Sequence, residues 1–528
     1  MIRNAIIVLM IVFNGTIQAQ HNFYEGFDGD IEKYYPKTLY TDAKYVTELQ
    51  RPQLVEGLAG NALDLSENAT LRKPIIIDSL SQPDYGKSSS LTVKVWVKAI
   101  KNAKQGTVII GNKHDGDFKS AGWMIYSQES GAWAVNISDG SSSYTYQPTA
   151  ARQAINDGNW HQLAFSLNRD KEEVWFYLDG VNVAIYNTPG IGSLESKNST
   201  VVGGTDEYFE YGSMGQWTAF NGFLDEVAID TDYMNTEAIS NDYRRFFKLD
   251  NNLNVSPPSL LKTMAWNIWH GGRRYGKYVG VQRVIETIEA AQPDIVGLIE
   301  TYGSGEIIAD ALGYHFYLIS SNLSIMSRYP IKETIKAFKP FNFGGAVLDV
   351  GNNKELVFLD TWLHYLPDYS THVLEGKVTP DDLIKAEHET RYAEVKQILK
   401  EIQPILKTSN TRPVIMLGDF NVGSHLDWIG DTQKIHYGYS VNWPVSVAMI
   451  NAGFKDSYRE INSNPLLDAG LTWTPRASTA SNKYGLRDRI DYIYYQGALN
   501  PIESKVVDYH PIMFPSDHAA VITVFEFE

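Results

Sequence analysis

The sequence predicts two domains of different class, an all-β sandwich followed by an α/β domain. Three observations carry this expectation. The chain has 528 residues, too many for one ordinary core at roughly 100–200 residues per domain. Its texture changes around residues 250–260, from short alternating runs to strands interleaved with longer helices. In the second half, apolar strands repeatedly end in a polar cluster, which is how an α/β sheet delivers reactive groups to one rim. With 43% hydrophobic, 12% aromatic and 20% charged residues, the composition is globular and excludes a disordered or collagen-like chain.

Residues 1–19 read as an export signal. Arg3 gives a positive start, Ala5 to Phe13 is an apolar run, and Ala19 before Gln20 suits a signal peptidase. A helix of that run spans roughly 14 Å against a hydrocarbon core of about 30 Å, so it does not cross a membrane unaided. No second long apolar segment follows, and the mature chain is expected to be secreted or periplasmic, without a transmembrane segment. There is no cysteine, which removes disulfides, thiolate nucleophiles and thiolate ligands.

The formal net charge is -16. Residues 20–256 carry 20 basic against 31 acidic side chains, net -11, and residues 257–528 carry 25 against 31, net -6. Indiscriminate attraction to nucleic acid or anionic membranes needs a basic surface, so nucleic acid is not favoured as a partner. A local patch at Arg273, Arg274 and Lys277 keeps it open.

Residues 20–249 form the first predicted domain. Leu91 to Val97 alternates apolar and polar, as expected of a half-buried strand. Val174–Leu178 and Val181–Tyr186 flank Asp179-Gly180, which accept the positive φ values of a type I′ hairpin turn. Many short strands at regular spacing indicate a sandwich. The phrases Trp160-His161-Gln162-Leu163-Ala164, Phe176-Tyr177-Leu178-Asp179-Gly180 and Phe223-Leu224-Asp225-Glu226-Val227, in that order, resemble the laminin-G-like, concanavalin-type jelly roll. The resemblance implies binding of carbohydrate or a cell-surface ligand, and in some such domains Ca2+ at the rim. Trp123, Trp133, Tyr144, Tyr146 and Trp217 are candidate stacking faces, and Asp115, Asp117, Asp206 and Glu207 candidate oxygen ligands. Core aromatics and solvated acids explain the same residues.

Residues 250–260, with Asn251-Asn252 and Pro257-Pro258, lack periodicity and read as a linker. Residues 261–528 then alternate: Lys262–Ile268 extended, Tyr278–Ala291 helical, Asp294–Glu300 extended, Asp381–Lys407 helical, Val414–Leu417 extended. One strand ends in Asn267 and another in Glu300. A third ends in Asp419-Phe420-Asn421, where side chains two apart on an extended segment share a face. Asp491 lies in a strand, and Ser516-Asp517-His518 precedes the last strand.

These phrases (W-N, the strand-end Glu, G-D-F-N, R-I-D-Y-I and S-D-H) together resemble the endonuclease/exonuclease/phosphatase superfamily, over about residues 260–528. The wording at 266–272 and 508–518 looks like a secreted bacterial branch of it. The resemblance implies an α/β sandwich and a metal-dependent phosphoric ester hydrolase. Mg2+ or Mn2+ would be held by Glu300 with Asn267 nearby and Asp517 at the edge, hard oxygen ligands of the kind those ions prefer. Asp419 would orient or deprotonate water, Asn421 would hold a phosphoryl oxygen, His518 would face the phosphate, and Asp491 would fix its tautomer. The usual family His falls on Trp362 by direct overlay and on His364 after a shift of two, and both placements stay open. His270, His425 and His510 flank the motifs.

Other chemistries lack their residues. Gly271 to Lys277 spells a P-loop, but Tyr278 replaces the hydroxyl that should reach magnesium. Neither a G-x-S-x-G elbow nor an H-E-x-x-H helix is present. The helix around Glu387, Arg391 and Glu394 has the charge spacing of a solvated face, with Arg391 a candidate phosphate contact. The expected substrate is a phosphodiester: nucleic acid, a phospholipid head group or a phosphorylated glycan. The rival expectation is a non-catalytic carbohydrate- or surface-binding protein with an inactive second domain.

Overall fold

The computed structural model describes residues 23–29, 53–69, 72–77, 84–103, 106–113, 116–211, 214–249, 259–352, 354–474 and 486–528. The predicted export signal and most of the predicted linker lie outside the described residues. So do Asp115 and the side chains of Asp206, Glu207 and Trp217.

The N-terminal domain is a concanavalin-like sandwich. Its larger sheet runs in the order Gln53–Glu56, Asn61–Asp64, Gly222–Asp230, Leu91–Ala99, His161–Asn168, Glu173–Leu178, Val181–Asn187, and a smaller sheet faces it. Asp179 and Gly180 have φ of 53° and 74°, the two positive values the hairpin turn requires. Leu91–Ala99 is buried almost throughout rather than on one face. Val93, Val95 and Val97 enter the sandwich core. Its other face is covered by helix Thr236–Tyr243, where Tyr243 stacks on Trp96 at 5.3 Å and Asp242 pairs with Lys94 at 3.2 Å. Trp123, Trp133 and Tyr146 are fully buried core residues, so they offer no sugar-stacking face. Burial of such large rings is the main apolar stabilisation available to a cysteine-free sandwich.

The C-terminal domain is an α/β sandwich of two sheets packed face to face. One contains His315–Leu318, Leu323–Ser327, Ile295–Ile299, Leu260–Asn267, Ala520–Phe527 and Leu499–Val507. The other runs Ile331–Ile335, Phe343–Gly351, Lys354–Trp362, Val414–Asp419, Asp491–Gln496, Lys455–Asp456. Ile295, Ile299, Phe358, Ile415, Leu417 and Val521 fill the space between them. Helices cover the outer faces, including Val279–Ala291, where the period predicted one. The predicted helix Asp381–Lys407 is three pieces, Pro380–His388, Arg391–Glu401 and Gln403–Leu406. At the first break, Arg391 and Glu387 are both buried rather than solvated. The guanidinium donates to Glu387, to the His364 carbonyl at 2.9 Å and to the Pro367 carbonyl at 3.2 Å. These bonds engage it in holding the 364–367 loop, and it is no phosphate contact.

The two domains share one sheet. Val181–Asn187, the jelly roll's edge strand, pairs in parallel with His315–Leu318, matching Ala184, Ile185 and Tyr186 to Phe316, Tyr317 and Leu318. Each strand thereby covers the other's unpaired backbone edge. Hydrophobic clusters continue across the junction on both faces of the sheet. Among the described residues no helix is long and apolar enough to cross a membrane.

Candidate active site

The site forms where strand ends of the two sheets meet at one rim. The parallel strands Leu260–Asn267 and Ile295–Ile299 finish there, as does Val414–Asp419, while the antiparallel Asp491–Gln496 begins there. Asp419 and Asp491 are direct register partners, which places their side chains on one face about 5 Å apart. Two carboxylates so close, each about 1% exposed, repel strongly unless a cation intervenes. His518 supplies part of that compensation. Its Nδ1 lies 2.9 Å from Asp491 Oδ2 and its Nε2 3.9 Å from Asp419 Oδ2. Burial alone would lower the His518 pKa, but the flanking carboxylates outweigh it and hold the ring protonated, raised above the usual histidine range. The Asp419 carboxyl is pushed up by burial and by Asp491, against the opposing pull of His518.

Asn267, at the end of its strand and 1% exposed, bridges the rim. Its Nδ2 donates to Asp419 Oδ2 at 3.1 Å and to Glu300 Oε1 at 3.3 Å. Glu300 follows its strand with φ 58°, a left-handed conformation that costs a non-glycine residue on the order of 1–3 kcal/mol. The surroundings hold it there. Asn322 Oδ1 accepts from the Glu300 amide at 3.2 Å, and the His270 amide donates to Glu300 Oε2 at 2.9 Å.

The S-D-H segment is fastened to the same rim. Ser516 Oγ donates to the Asn267 carbonyl at 2.6 Å, and Trp266 Nε1 donates to the His518 carbonyl at 3.0 Å. Asp517 is buried beside them at 5% exposure. Beneath Asp491, the Thr472 hydroxyl accepts from the amides of Ile490 and Asp491. Further back, Arg489 binds Asp427 and Asp456 in a buried ion network.

Asn267, Glu300, Asp419, Asp491 and His518 therefore converge, with Asp517 adjoining. Asn421 stands differently from the extended pattern assumed for it. The strand stops at Asp419, Asn421 takes φ 53°, and its Nδ2 donates to the Leu363 carbonyl at 2.9 Å. Trp362 is the register partner of Asp419 on the neighbouring strand. His364, exposed and beyond the strand, accepts from the Leu366 amide at 3.0 Å through Nδ1 and helps line a cavity of about 690 Å³ with Phe338, Leu366 and Pro367. His270 contributes its backbone and stacks on Tyr302. His425 bonds Ser446 and His510 pairs with Glu286, two local structural contacts. Asn322 and Thr472 escaped the sequence reading because neither sits in a recognisable phrase.

The donor set suits a hard divalent ion. Glu300 offers a carboxylate, Asn267 turns its Nδ2 toward that carboxylate while its Oδ1 accepts from the Trp269 amide at 3.0 Å, and among the described residues Asp491 Oδ1 is buried without a hydrogen-bond partner. Asp419, Asp491 and His518 also place ligand atoms within 4.8 Å of one another.

Residues 264–518 match the Endonuclease/Exonuclease/phosphatase family and residues 78–240 the Concanavalin A-like lectin/glucanases superfamily. The chain thus joins a concanavalin-like domain to an endonuclease/exonuclease/phosphatase domain. Among curated proteins, the uncharacterized protein F14F9.5 of Caenorhabditis elegans is 25% identical over 305 residues, 51% of this chain and 91% of that protein. A non-toxic nonhemagglutinin type E of Clostridium botulinum is 25% identical over 176 residues, 31% of this chain but only 13% of its own length. Among solved structures, TDP2 from Caenorhabditis elegans aligns at 18% identity and TM-score 0.37, over 51% of this chain and 74% of that one. An AP endonuclease from Archaeoglobus fulgidus aligns at 17% and 0.36, over 50% and 99%.

Proposed function

We propose that the protein is an exported, divalent-metal-dependent phosphodiesterase whose N-terminal domain binds a carbohydrate or another surface ligand and so localises hydrolysis. The observation that carries this reading is the convergence of Asn267, Glu300, Asp419, Asp491 and His518 on one rim. Glu300 and Asn267 would hold Mg2+ or Mn2+, which when bound neutralises charge on the phosphoryl oxygens. Asp419 orients the attacking water and accepts its proton. The protonated His518 donates toward the phosphoryl oxygen that gains charge, while Asp491 keeps Nδ1–H engaged and the ring oriented.

The acidity of the chain weakens a general duplex nuclease, and a phospholipid head group or phosphorylated glycan suits the concanavalin-like companion domain better. Of the local basic patch, Arg273 donates to the carbonyls of Tyr302 and Gly303, while Arg274 over the Trp269 ring and Lys277 over the Tyr278 ring are exposed.

The test is hydrolysis of bis(p-nitrophenyl) phosphate with and without chelator by the parent, Glu300→Ala and His518→Ala. Chelator-sensitive turnover restored by Mg2+ and lost in both variants is the expected result. Equal background in all three would leave a non-catalytic binder. A panel of sphingomyelin, phosphoglycan, RNA and DNA then ranks the substrates.

A further inference from the structure

Glu300, the main metal ligand of the proposed reading, has a left-handed backbone that is bonded on one side by the His270 and Gly271 amides and on the other by a turn. Residues 319–322 connect the hairpin strands His315–Leu318 and Leu323–Ser327, and this turn reads out onto Glu300–Tyr302 through four bonds. Asn322 Oδ1 accepts from the Glu300 amide at 3.2 Å, and the Asn322 carbonyl accepts from the Thr301 amide at 3.0 Å and from the Thr301 hydroxyl at 3.2 Å. The Ser321 carbonyl accepts from the Tyr302 amide at 2.8 Å. Glu300 and Tyr302 both have positive φ, 58° and 38°. Two non-glycine residues in that region persist only where neighbours over-determine them.

What fixes the turn itself comes partly from the other domain. Asn187, the last residue of the jelly roll's edge strand and 4% exposed, donates its Nδ2 to the Ile319 carbonyl at 3.0 Å. Among the described residues its own Oδ1 is buried with no hydrogen-bond partner. A buried amide so poorly satisfied is costly, yet its one bond goes to the first residue of the turn. The strand pairing of Val181–Asn187 with His315–Leu318 ends one residue short of that bond. The His315 ring closes the opposite end, its Nδ1 lying 2.7 Å from the Asn182 carbonyl. Ile319 is also seated from the far side. Gly344 leaves the room its side chain occupies, since a Cβ there would stand 2.5 Å from Ile319 Cγ2.

We propose that the jelly-roll domain is a positioning element of the metal centre: Asn187, through the Ile319 carbonyl and the 319–322 turn, holds Glu300 in the conformation that presents its carboxylate. The inference rests on the reading of Glu300 as a metal ligand. It gives the N-terminal domain a task separate from any ligand it binds, and it makes Asn187 a positioning residue rather than a catalytic one.

The test uses the full chain and two readouts: calorimetric titration with MgCl2, and the Mg2+ dependence of bis(p-nitrophenyl) phosphate hydrolysis. Asn187→Leu keeps the bulk and removes the donor. It is expected to weaken Mg2+ binding by about 10-fold, the lower end for loss of a partner that orients a ligand, while kcat at saturating Mg2+ stays near the parent value. Asn187→Gln, which keeps an amide donor, is expected to recover most of the affinity. Asn187→Ala carries the same expectation as Asn187→Leu without the apolar bulk. Thr149→Val is the control for mere loosening of the interface, because Thr149 contacts Asp310 elsewhere on the junction. It is expected to lower Tm and leave Mg2+ affinity unchanged. Parental Mg2+ affinity in Asn187→Leu and Asn187→Ala, or an equal loss in Thr149→Val, overturns the proposal while leaving the phosphodiesterase reading intact. A parent that neither binds Mg2+ nor hydrolyses the diester overturns that reading and this inference with it.

Discussion

The jelly roll's interior and the catalytic rim both bury their defining side chains almost completely, for opposite reasons. Trp123 is in the sandwich core with its ring edge-on to Tyr85 and Phe165 at 5.6 and 5.7 Å, and burial of that large apolar ring is favourable even though its Nε1 has no hydrogen-bond partner among the described residues. Asp419, Asp491 and His518 are just as deep, and burial there is costly unless each charge finds a partner. The difference teaches which buried groups point to function. The apolar area of a tryptophan ring accounts for its place in a sandwich core, whereas two adjacent buried carboxylates beside one imidazole have no such account from packing alone.

That contrast can be broken by mutation, and the largest effect is expected in the apolar region. Trp123→Ala should cost about 3–5 kcal/mol. Because one sheet runs through both domains, calorimetry should show a single transition that moves as a whole. Two separated transitions, with only one displaced, would mean that the shared sheet does not couple the domains.

Asp419→Asn should do the reverse at the rim. Loss of a transition-state contact lowers the rate by roughly 10²–10³, whereas removing one of two repelling carboxylates should leave Tm level or raise it. A drop in Tm comparable to that of Trp123→Ala would erase the distinction between the two regions.

Asp360 sharpens the comparison with a smaller effect. It is fully buried between the sheets, beside the space left by Gly297, where among the described residues its carboxyl oxygens lack a well-formed hydrogen bond and only the Thr361 amide opposes the cost of burial. Burial raises its pKa well above the usual carboxylate range. A group whose folded pKa is raised contributes stability fully below its unfolded pKa, near 4, and loses it as pH climbs toward the folded value. Asp360→Asn does not ionise, so its Tm advantage over the parent should widen from pH 4 to pH 7, by at most about 1.4 kcal/mol per pH unit. A pH-independent difference would show that Asp360 titrates normally. The smallest effect is expected at His364, whose Nδ1 already accepts from Leu366. His364→Ala should change the rate by less than tenfold, under about 1.4 kcal/mol, when assayed at saturating Mg2+.

Strand order along the chain and the polar residues at strand ends were legible in advance because both are local. An apolar run followed by Asn267, Glu300 or Asp419 shows in the sequence wherever the strand lies. Asn421 was legible only in part, since its left-handed backbone turns the side chain onto the Leu363 carbonyl and ends the two-residue periodicity. Arg391 was misjudged for a related reason. Its spacing from Glu387 is that of a surface pair, and only the fold of the 364–367 loop over it makes the pair buried.

The sequence by itself determined the two domain classes, the Asp179-Gly180 hairpin and the residue types available to the rim, because propensity, periodicity and turn chemistry act over a few residues. The tertiary structure alone decided that Asp419 faces Asp491, that His518 lies beside both, and that the jelly roll's edge strand continues the catalytic domain's sheet. Those relations join residues tens to hundreds of positions apart. They are set by which edges and faces must be covered when the whole chain packs, and no local pattern encodes that.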